Sequence, residues 1–89
     1  MKERYLEVTF RHGLPIAAYY YLPRETNQKS VRTRRVEPGL VIDFAADGHA
    51  IGIEITAPAK LSLAGLNAVL RELGQPPATE ADLAPVLAA

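Results

Sequence analysis

Apolar and polar residues alternate along the first part of the chain, in short runs separated by turn-forming residues. The alternation is strict in residues 4–11, and it continues in the aromatic run of residues 16–22. It is less regular in residues 30–36, where arginines are interspersed with valine and threonine. A period of two is typical of strands that bury one face. The pattern therefore predicts three strands before residue 37.

The clearest pattern lies in residues 36–58. Asp47-Gly48 is a dipeptide preferred by two-residue type I′ turns, so the numbers of opposite residues are expected to sum to 95. A slip of one residue would place carboxylates among isoleucines, and the register is therefore well specified. The expected register joins large apolar residues on one face, in the pairs Phe44–Ile51, Ile42–Ile53 and Leu40–Ile55.

After residue 58 the period changes. Apolar residues recur at steps of three and four within residues 61–74, which predicts an amphipathic helix with Ser62 as its N-cap and Gly74 just beyond its end. Thr79 and Asp82 have the spacing of a capping box, which predicts a short second helix containing Pro85.

Together these elements predict an α+β fold. We expect an antiparallel β-meander of about five strands, because no connection between strands is long enough for a helical crossover. One C-terminal amphipathic helix packs on its apolar face, and a short tail helix follows. The chain is expected to form a single domain over residues 1–89, with the sheet in residues 1–58 and the helical part in residues 59–89.

The hairpin residues also resemble a known family. The segments VEPGLVIDF at 36–44, DG at 47–48 and IGIEI at 51–55 are similar to DUF2283, a small bacterial domain of unknown function, and the resemblance extends over residues 5–58. It implies a fold but no catalytic residues. Some members of that family are encoded beside candidate toxins of the RelE type, so the resemblance also suggests an antitoxin role.

Composition limits the location of the protein. Hydrophobic residues make up 48% and charged residues 22% of the 89-residue chain, which is typical of a globular domain. The absence of cysteine excludes disulfides and thiolate chemistry. Charges occupy the N-terminal residues where a signal peptide needs an apolar run, and no segment approaches 18 apolar residues. These features predict a cytoplasmic protein without a membrane partner.

Charge is unevenly distributed although the net charge is zero. Residues 1–36 contain eight Lys or Arg and three Glu, and residues 37–89 contain two Lys or Arg and seven Asp or Glu. Strands of opposite charge that pair within one sheet explain this pattern. The alternative is a basic face for nucleic acid or an acidic partner, with cations from the third strand and stacking rings from the second. Its candidate residues are Arg32, Arg34, Arg35, Tyr19 and Tyr21.

Asp43 and Glu54 form the second candidate site. The expected register makes them diagonal neighbours on the polar face of the hairpin, where two carboxylates could bind a hard cation or act as acid and base. The alternative is that Arg32 and Arg34 neutralise them in a surface ladder. His49 lies on the opposite face by parity, so it does not complete a metal triad. We assign no catalytic, metal or cofactor-binding residue.

Three functions are therefore compared. The first is a non-enzymatic module that acts through protein–protein contact, including as the antitoxin of a basic toxin. The second is a nucleic-acid-binding module, and the third is a small metal-dependent enzyme that uses Asp43 and Glu54. We also expect a homodimer, because the sheet has open edges and because Leu83, Val86 and Leu87 of the 75–89 tail need a surface to cover them.

Overall fold

The computed structural model describes residues 3–87. Five strands form one antiparallel sheet, and a short 3₁₀ turn and two helices follow it, which confirms the α+β fold. The elements are β1 (Tyr5–Arg11), β2 (Leu14–Tyr21), β3 (Arg32–Val36), β4 (Leu40–Phe44), β5 (Ala50–Ile55), a 3₁₀ turn (Pro58–Lys60), α1 (Leu63–Glu72) and α2 (Glu80–Leu87).

The strand order differs from the predicted meander. The order is β1-β2-β5-β4-β3, so β2 pairs with β5 and the chain crosses to the far edge before β3. β5 is almost entirely buried and takes the centre, whereas every residue of β3 from Arg32 to Arg35 is exposed. The physical reason is desolvation: a central position would bury the arginines of β3, and an edge leaves them in water.

The register of the β4–β5 hairpin is confirmed over most of its length. Leu40 faces Ile55, Ile42 faces Ile53 and Asp43 faces Gly52, as predicted. The prediction is wrong at the turn, because Phe44 pairs with Ala50 and a bulge intervenes.

The turn of this hairpin is longer than expected. Ala45 donates its N–H to the carbonyl of His49, and only Gly48 among the loop residues has a positive φ, at 87°. A type I′ turn needs two such residues, so this is the three-residue loop that ends in one left-handed residue. The Asp47 carboxylate accepts the N–H of His49 at 2.9 Å and stabilises the longer loop.

A two-residue turn with two positive φ values occurs instead between β1 and β2. His12 has φ 51° and Gly13 has φ 78°, and they connect the paired residues Arg11 and Leu14. β2 therefore begins at Leu14 rather than at residue 16. Pro15 fits inside the strand because the register shifts beside it, in agreement with the preference of strand prolines for bulges.

The ends of the helices follow their sequence signals. Ser62 accepts the N–H of Gly65 at 3.0 Å, and Gln75 and Gly74 donate to the carbonyls of Leu70 and Arg71 as in a Schellman motif. Thr79 and Asp82 exchange the two hydrogen bonds of a capping box, at 2.9 and 3.2 Å. The predicted caps are confirmed.

Both helices pack on the same face of the sheet. The buried cluster joins the strand residues Ala18, Tyr20, Leu40, Ile42, Phe44, Ala50, Ile53 and Ile55 with Leu22, Leu66, Val69, Leu70, Ala78, Leu83 and Val86. Leu83 and Val86 are thus covered within their own chain, which removes them as a reason to expect a dimer. The opposite face of the sheet carries the candidate site residues Asp43 and Glu54.

Candidate functional site

The face opposite the helices, called the open face below, is built in two rows by the strand register. The first row crosses the sheet as Tyr5, Tyr21, Gly52, Asp43 and Thr33. The second row runs parallel to it as Glu7, Tyr19, Glu54, Val41 and Arg35. The centre of the open face therefore combines tyrosines with carboxylates.

Three tyrosines pack together on the open face. The rings of Tyr5 and Tyr21 are stacked with centroids 4.4 Å apart, and Tyr19 meets Tyr21 edge-on at 4.6 Å. Tyr21 donates its hydroxyl hydrogen to Glu7 at 3.3 Å, and the Arg24 guanidinium lies 5.3 Å from the Tyr21 ring. Stacked and edge-to-face arrangements are the favourable geometries for aromatic pairs, so the cluster holds its own shape.

Tyr19 lies over the glycine of the central strand. A methyl group at Gly52 would collide with the Tyr19 ring and hydroxyl. The hydroxyl continues past the glycine to the next strand and donates to Asp43 at 2.6 Å. The glycine therefore allows a side chain of β2 to reach β4 across β5. Gly52 is thus a packing residue of the sheet.

The position of Tyr19 changes its acidity. Burial raises its pKa well above the ordinary value, and the Asp43 carboxylate raises it further, while Arg24 acts in the opposite direction. Both the hydrogen bond and the negative charge of Asp43 favour a protonated hydroxyl. Tyr19 is consequently a hydrogen-bond donor at neutral pH and not a base.

Asp43 is engaged on both of its oxygens. Oδ2 accepts from Tyr19, and Oδ1 accepts from Ser30 at 3.1 Å. Glu54 lies diagonally from Asp43 and is exposed, as the register predicted. Within residues 3–87, no group of three or more His, Cys, Asp or Glu is placed to hold a metal ion. This arrangement makes Asp43 an acceptor that fixes Tyr19.

The arginines of β3 do not form the predicted ladder with these carboxylates. Arg32 faces Phe44 and Arg34 faces Ile42, so both lie on the helix-covered face. The Arg32 guanidinium lies 4.3 Å from the Phe44 ring, and Arg34 forms an ion pair with Glu72 of α1 at 2.7 Å. A ladder with Asp43 would need arginines on the same face as Thr33, which is the residue opposite Asp43. Arg32 and Arg34 point to the other face, where they lie at the edge of the core.

The predicted basic and aromatic cluster is therefore divided between two faces. Tyr19, Tyr21 and Arg35 lie on the open face, and Arg32 and Arg34 lie on the other. The histidines are placed elsewhere: His12 is in the β1–β2 turn, and the His49 ring is 3.0 Å from the carbonyl of Pro23.

Two residues of the site, Arg24 and Ser30, come from the crossing segment between β2 and β3 and are not among the candidate residues Arg32, Arg34, Arg35, Tyr19 and Tyr21. Arg24 donates to the carbonyl of Ile51 at 2.6 Å, and Ser30 donates to Asp43. Only the strand order brings this segment across the end of the β4–β5 hairpin. Tyr5 and Glu7 were also missed as site residues, although their alternation with Leu6 and Val8 places them on the polar face.

In the comparison with known proteins, one family model matches part of the chain. Residues 17–57 match the model of the family described as Protein of unknown function (DUF2283). The matched range contains most of β2 and all of β3, β4 and β5, and it confirms the resemblance found in the hairpin. Neither the curated proteins nor the solved structures gave a match.

The matched range contains Tyr19, Gly52 and Asp43 and ends before both helices. The description of the family names no catalytic activity. Among residues 3–87, none of the helices combines the length and the apolar content required to span a membrane.

Proposed function

We propose that the protein is a non-enzymatic binding module that recognises another protein through the open face. The observation that supports this proposal is the packed tyrosine cluster on a sheet face that neither α1 nor α2 covers. A solvated sheet face is ordinarily polar. Tyrosine and arginine are enriched among the residues that contribute most to protein interfaces. The cluster of Tyr5, Tyr19 and Tyr21 with Arg24 has this composition.

The cluster is also prearranged for binding. Tyr21 is held by Tyr5 and Glu7, and Tyr19 is held by Asp43. Side chains that are already ordered lose little conformational entropy when a partner binds. Rigid tyrosines therefore contribute contact area at low entropic cost.

Charge favours a basic partner. The open face carries three carboxylates, and two of them, Asp43 and Glu54, lie on the inner strands β4 and β5. Its cations lie towards the margins: Arg11 at the end of β1, Arg35 on the edge strand β3 and Arg24 after the end of β2. The centre of the open face is therefore acidic. Complementary charge increases the rate of association and disfavours acidic partners. In the antitoxin version of this proposal, the partner is a basic toxin. We infer that both proteins act in the cytoplasm.

Nucleic-acid binding is less well supported by the placement of the arginines. Arg32 and Arg34 face away from Tyr19 and Tyr21. A nucleic-acid strand that stacks on the tyrosines would therefore meet the carboxylates and would miss two of its expected phosphate contacts. An enzyme is also less well supported, because both oxygens of Asp43 already accept hydrogen bonds.

Affinity purification from the host tests the proposal. We expect one protein to copurify with the wild type, and the amount to fall at least ~10-fold with the variant Tyr5→Ser/Tyr21→Ser. Arg71→Ser changes an exposed position on α1 and serves as the matched control, so it should capture as much partner as the wild type. Circular dichroism verifies that each variant is folded.

Equal capture by both variants would show that the open face is not the binding surface. If no protein copurifies and the adjacent gene encodes no basic protein, the antitoxin role is excluded. A gel shift at low salt tests nucleic-acid binding, the alternative function. A shift that weakens steeply as salt increases would support binding through phosphate contacts.

A further inference from the structure

The two edges of the sheet are protected to different degrees. β1 and β3 lie at opposite ends of the strand order, so each has one row of backbone N–H and C=O groups outside the ladder. β3 contains three arginines in five residues, whereas β1 contains Glu7 and Arg11 as its charged residues among seven. Charged side chains and prolines are the usual means of blocking edge-to-edge pairing. Charged side chains therefore block the edge at β3 more strongly than at β1, which α2 contacts from the helix-covered face.

The outer edge of β1 is also regular. The register shift beside Thr9 and Phe10 places the additional residue, Ile16, on β2. A bulge on β1 itself would twist the outer edge away from a partner, but this bulge lies on the inner neighbour. Tyr5 and Phe10, near the two ends of β1, are 45% and 52% exposed. This strand thus presents seven regular residues with uncovered aromatic side chains near both ends.

We propose that β1 pairs with β1 of a second copy, antiparallel and with the two-fold axis at Val8. In this register Leu6 faces Phe10 of the second copy, Glu7 faces Thr9, and Tyr5 faces Arg11. The apolar pairs cover the exposed Phe10 ring, and Tyr5 with Arg11 forms a cation–π contact. No like charges are opposed. A surface that is complementary to itself is what an isologous dimer requires.

Neighbouring registers fit less well. An axis at Glu7 would oppose two carboxylates, and like charges directly opposite each other destabilise a sheet. An axis at Thr9 would leave Tyr5 and Leu6 opposite the turn of the other copy. A shift by an odd number of positions would mix the apolar and polar faces. The axis at Val8 pairs all seven residues of β1 on their proper faces.

The dimer has a consequence for the open face. A two-fold axis perpendicular to the sheet keeps the helices of both copies on one side and both open faces on the other. The tyrosine clusters then lie on one continuous surface, with Tyr5 of each copy beside the junction. Two linked sites bind a bivalent partner more tightly than either site alone.

Sedimentation at micromolar concentration tests the dimer. The wild type should have twice the chain mass of 9.7 kDa. Phe10→Lys places a charge opposite Leu6 of the second copy and should reduce the mass to that of one chain. The matched control is Val31→Lys, since Val31 is 64% exposed and directly precedes the more strongly blocked edge strand β3. The control should remain a dimer. A wild-type mass of one chain would contradict the proposal.

Single cysteines test the register, because the chain has no cysteine of its own. The Cα atoms of opposite residues in antiparallel strands are about 4.5–5.5 Å apart, which is within the Cα–Cα range of a disulfide. Val8→Cys should therefore cross-link under mild oxidation, and Thr9→Cys should not. Cross-linking through Thr9→Cys alone would refute the axis at Val8. Neither experiment needs another protein, so its failure leaves the proposed binding function untouched.

Discussion

The helix-covered face and the open face are formed by the same five strands, but their side chains are held in place by different interactions. On the covered face, Tyr20, Ile42 and Ile53 are fully buried and are fixed by packing against the helices. On the open face, Tyr19 and Tyr21 are fixed by hydrogen bonds to Asp43 and Glu7 and by contact with each other. Burial stabilises the fold, and the hydrogen-bonded cluster keeps a surface ordered without a covering layer.

The difference is sharpest between neighbours in β5. Ile53 is inaccessible to solvent, and Glu54 beside it is exposed because successive side chains point to opposite faces. Gly52 also belongs to the open face, where the Tyr19 ring covers it in place of α1 or α2. Substitutions at these three positions separate the contributions of the two faces.

The largest expected effect is at Ile53. Ile53→Ala removes a buried side chain from the middle of the central strand, and it should lower the free energy of unfolding by about 2–5 kcal/mol. Urea denaturation measures the change. The matched control on the other face is Glu54→Gln, for which we expect a change within about 0.5 kcal/mol. Equal effects of the two substitutions would contradict the assignment of covered and open faces.

The next effect is at Gly52, and it depends on Tyr19. Gly52→Ala should lower the free energy of unfolding by about 1–3 kcal/mol, because the added methyl displaces the Tyr19 ring from Asp43. In a Tyr19→Ala background the same substitution should have little effect, since the ring that it strikes is absent. A double-mutant cycle measures this coupling. Additive effects would mean that Tyr19 does not occupy the space over the glycine.

A smaller effect is expected at the Tyr19 hydroxyl. Tyr19→Phe removes the hydrogen bond to a partly buried carboxylate and should lower the free energy of unfolding by about 1–2 kcal/mol at neutral pH. Thr33 faces Asp43 from β3 and provides the matched control as Thr33→Val, for which we expect a change within about 0.5 kcal/mol. Urea denaturation again measures both variants. An unchanged stability in Tyr19→Phe would show that the hydrogen bond to Asp43 does not stabilise the fold.

The same substitution changes the dependence of stability on pH. An unfolded tyrosine loses its proton near pH 10, whereas the raised pKa of Tyr19 keeps it protonated in the folded chain. The folded state then binds more protons, so the free energy of unfolding falls as pH rises above about 10. Tyr19→Phe should make this fall shallower. It should not abolish the fall, because the pKa values of Tyr20 and Tyr21 are also raised.

The smallest effect is expected where the edge of the covered face meets solvent. The ion pair of Arg34 with Glu72 is largely exposed, and such pairs contribute little. Arg34→Gln should change the free energy of unfolding by less than about 1 kcal/mol, as measured by urea denaturation. A loss as large as that of Ile53→Ala would mean that Arg34 is part of the core rather than its edge.

Local sequence determined the elements and much of their pairing. The period of two and the apolar pairs of residues 40–55 specified the hairpin register up to Asp43, because a slip would expose isoleucines and bury carboxylates. Ser62, Gly74 and the Thr79–Asp82 box determined where the helices begin and end, since caps act over three or four residues. Alternation also placed Tyr19 and Tyr21 on one face.

The tertiary structure alone decided which strands are neighbours. Pairing of β2 with β5 depends on the relative cost of burying β5 or β3, and that comparison involves residues far apart in the chain. The same decision placed Tyr19 over Gly52 and within reach of Asp43, and it brought Arg24 and Ser30 to the site. Turn preference and periodicity act locally, whereas the site arises from side chains that meet only after the strand order is set.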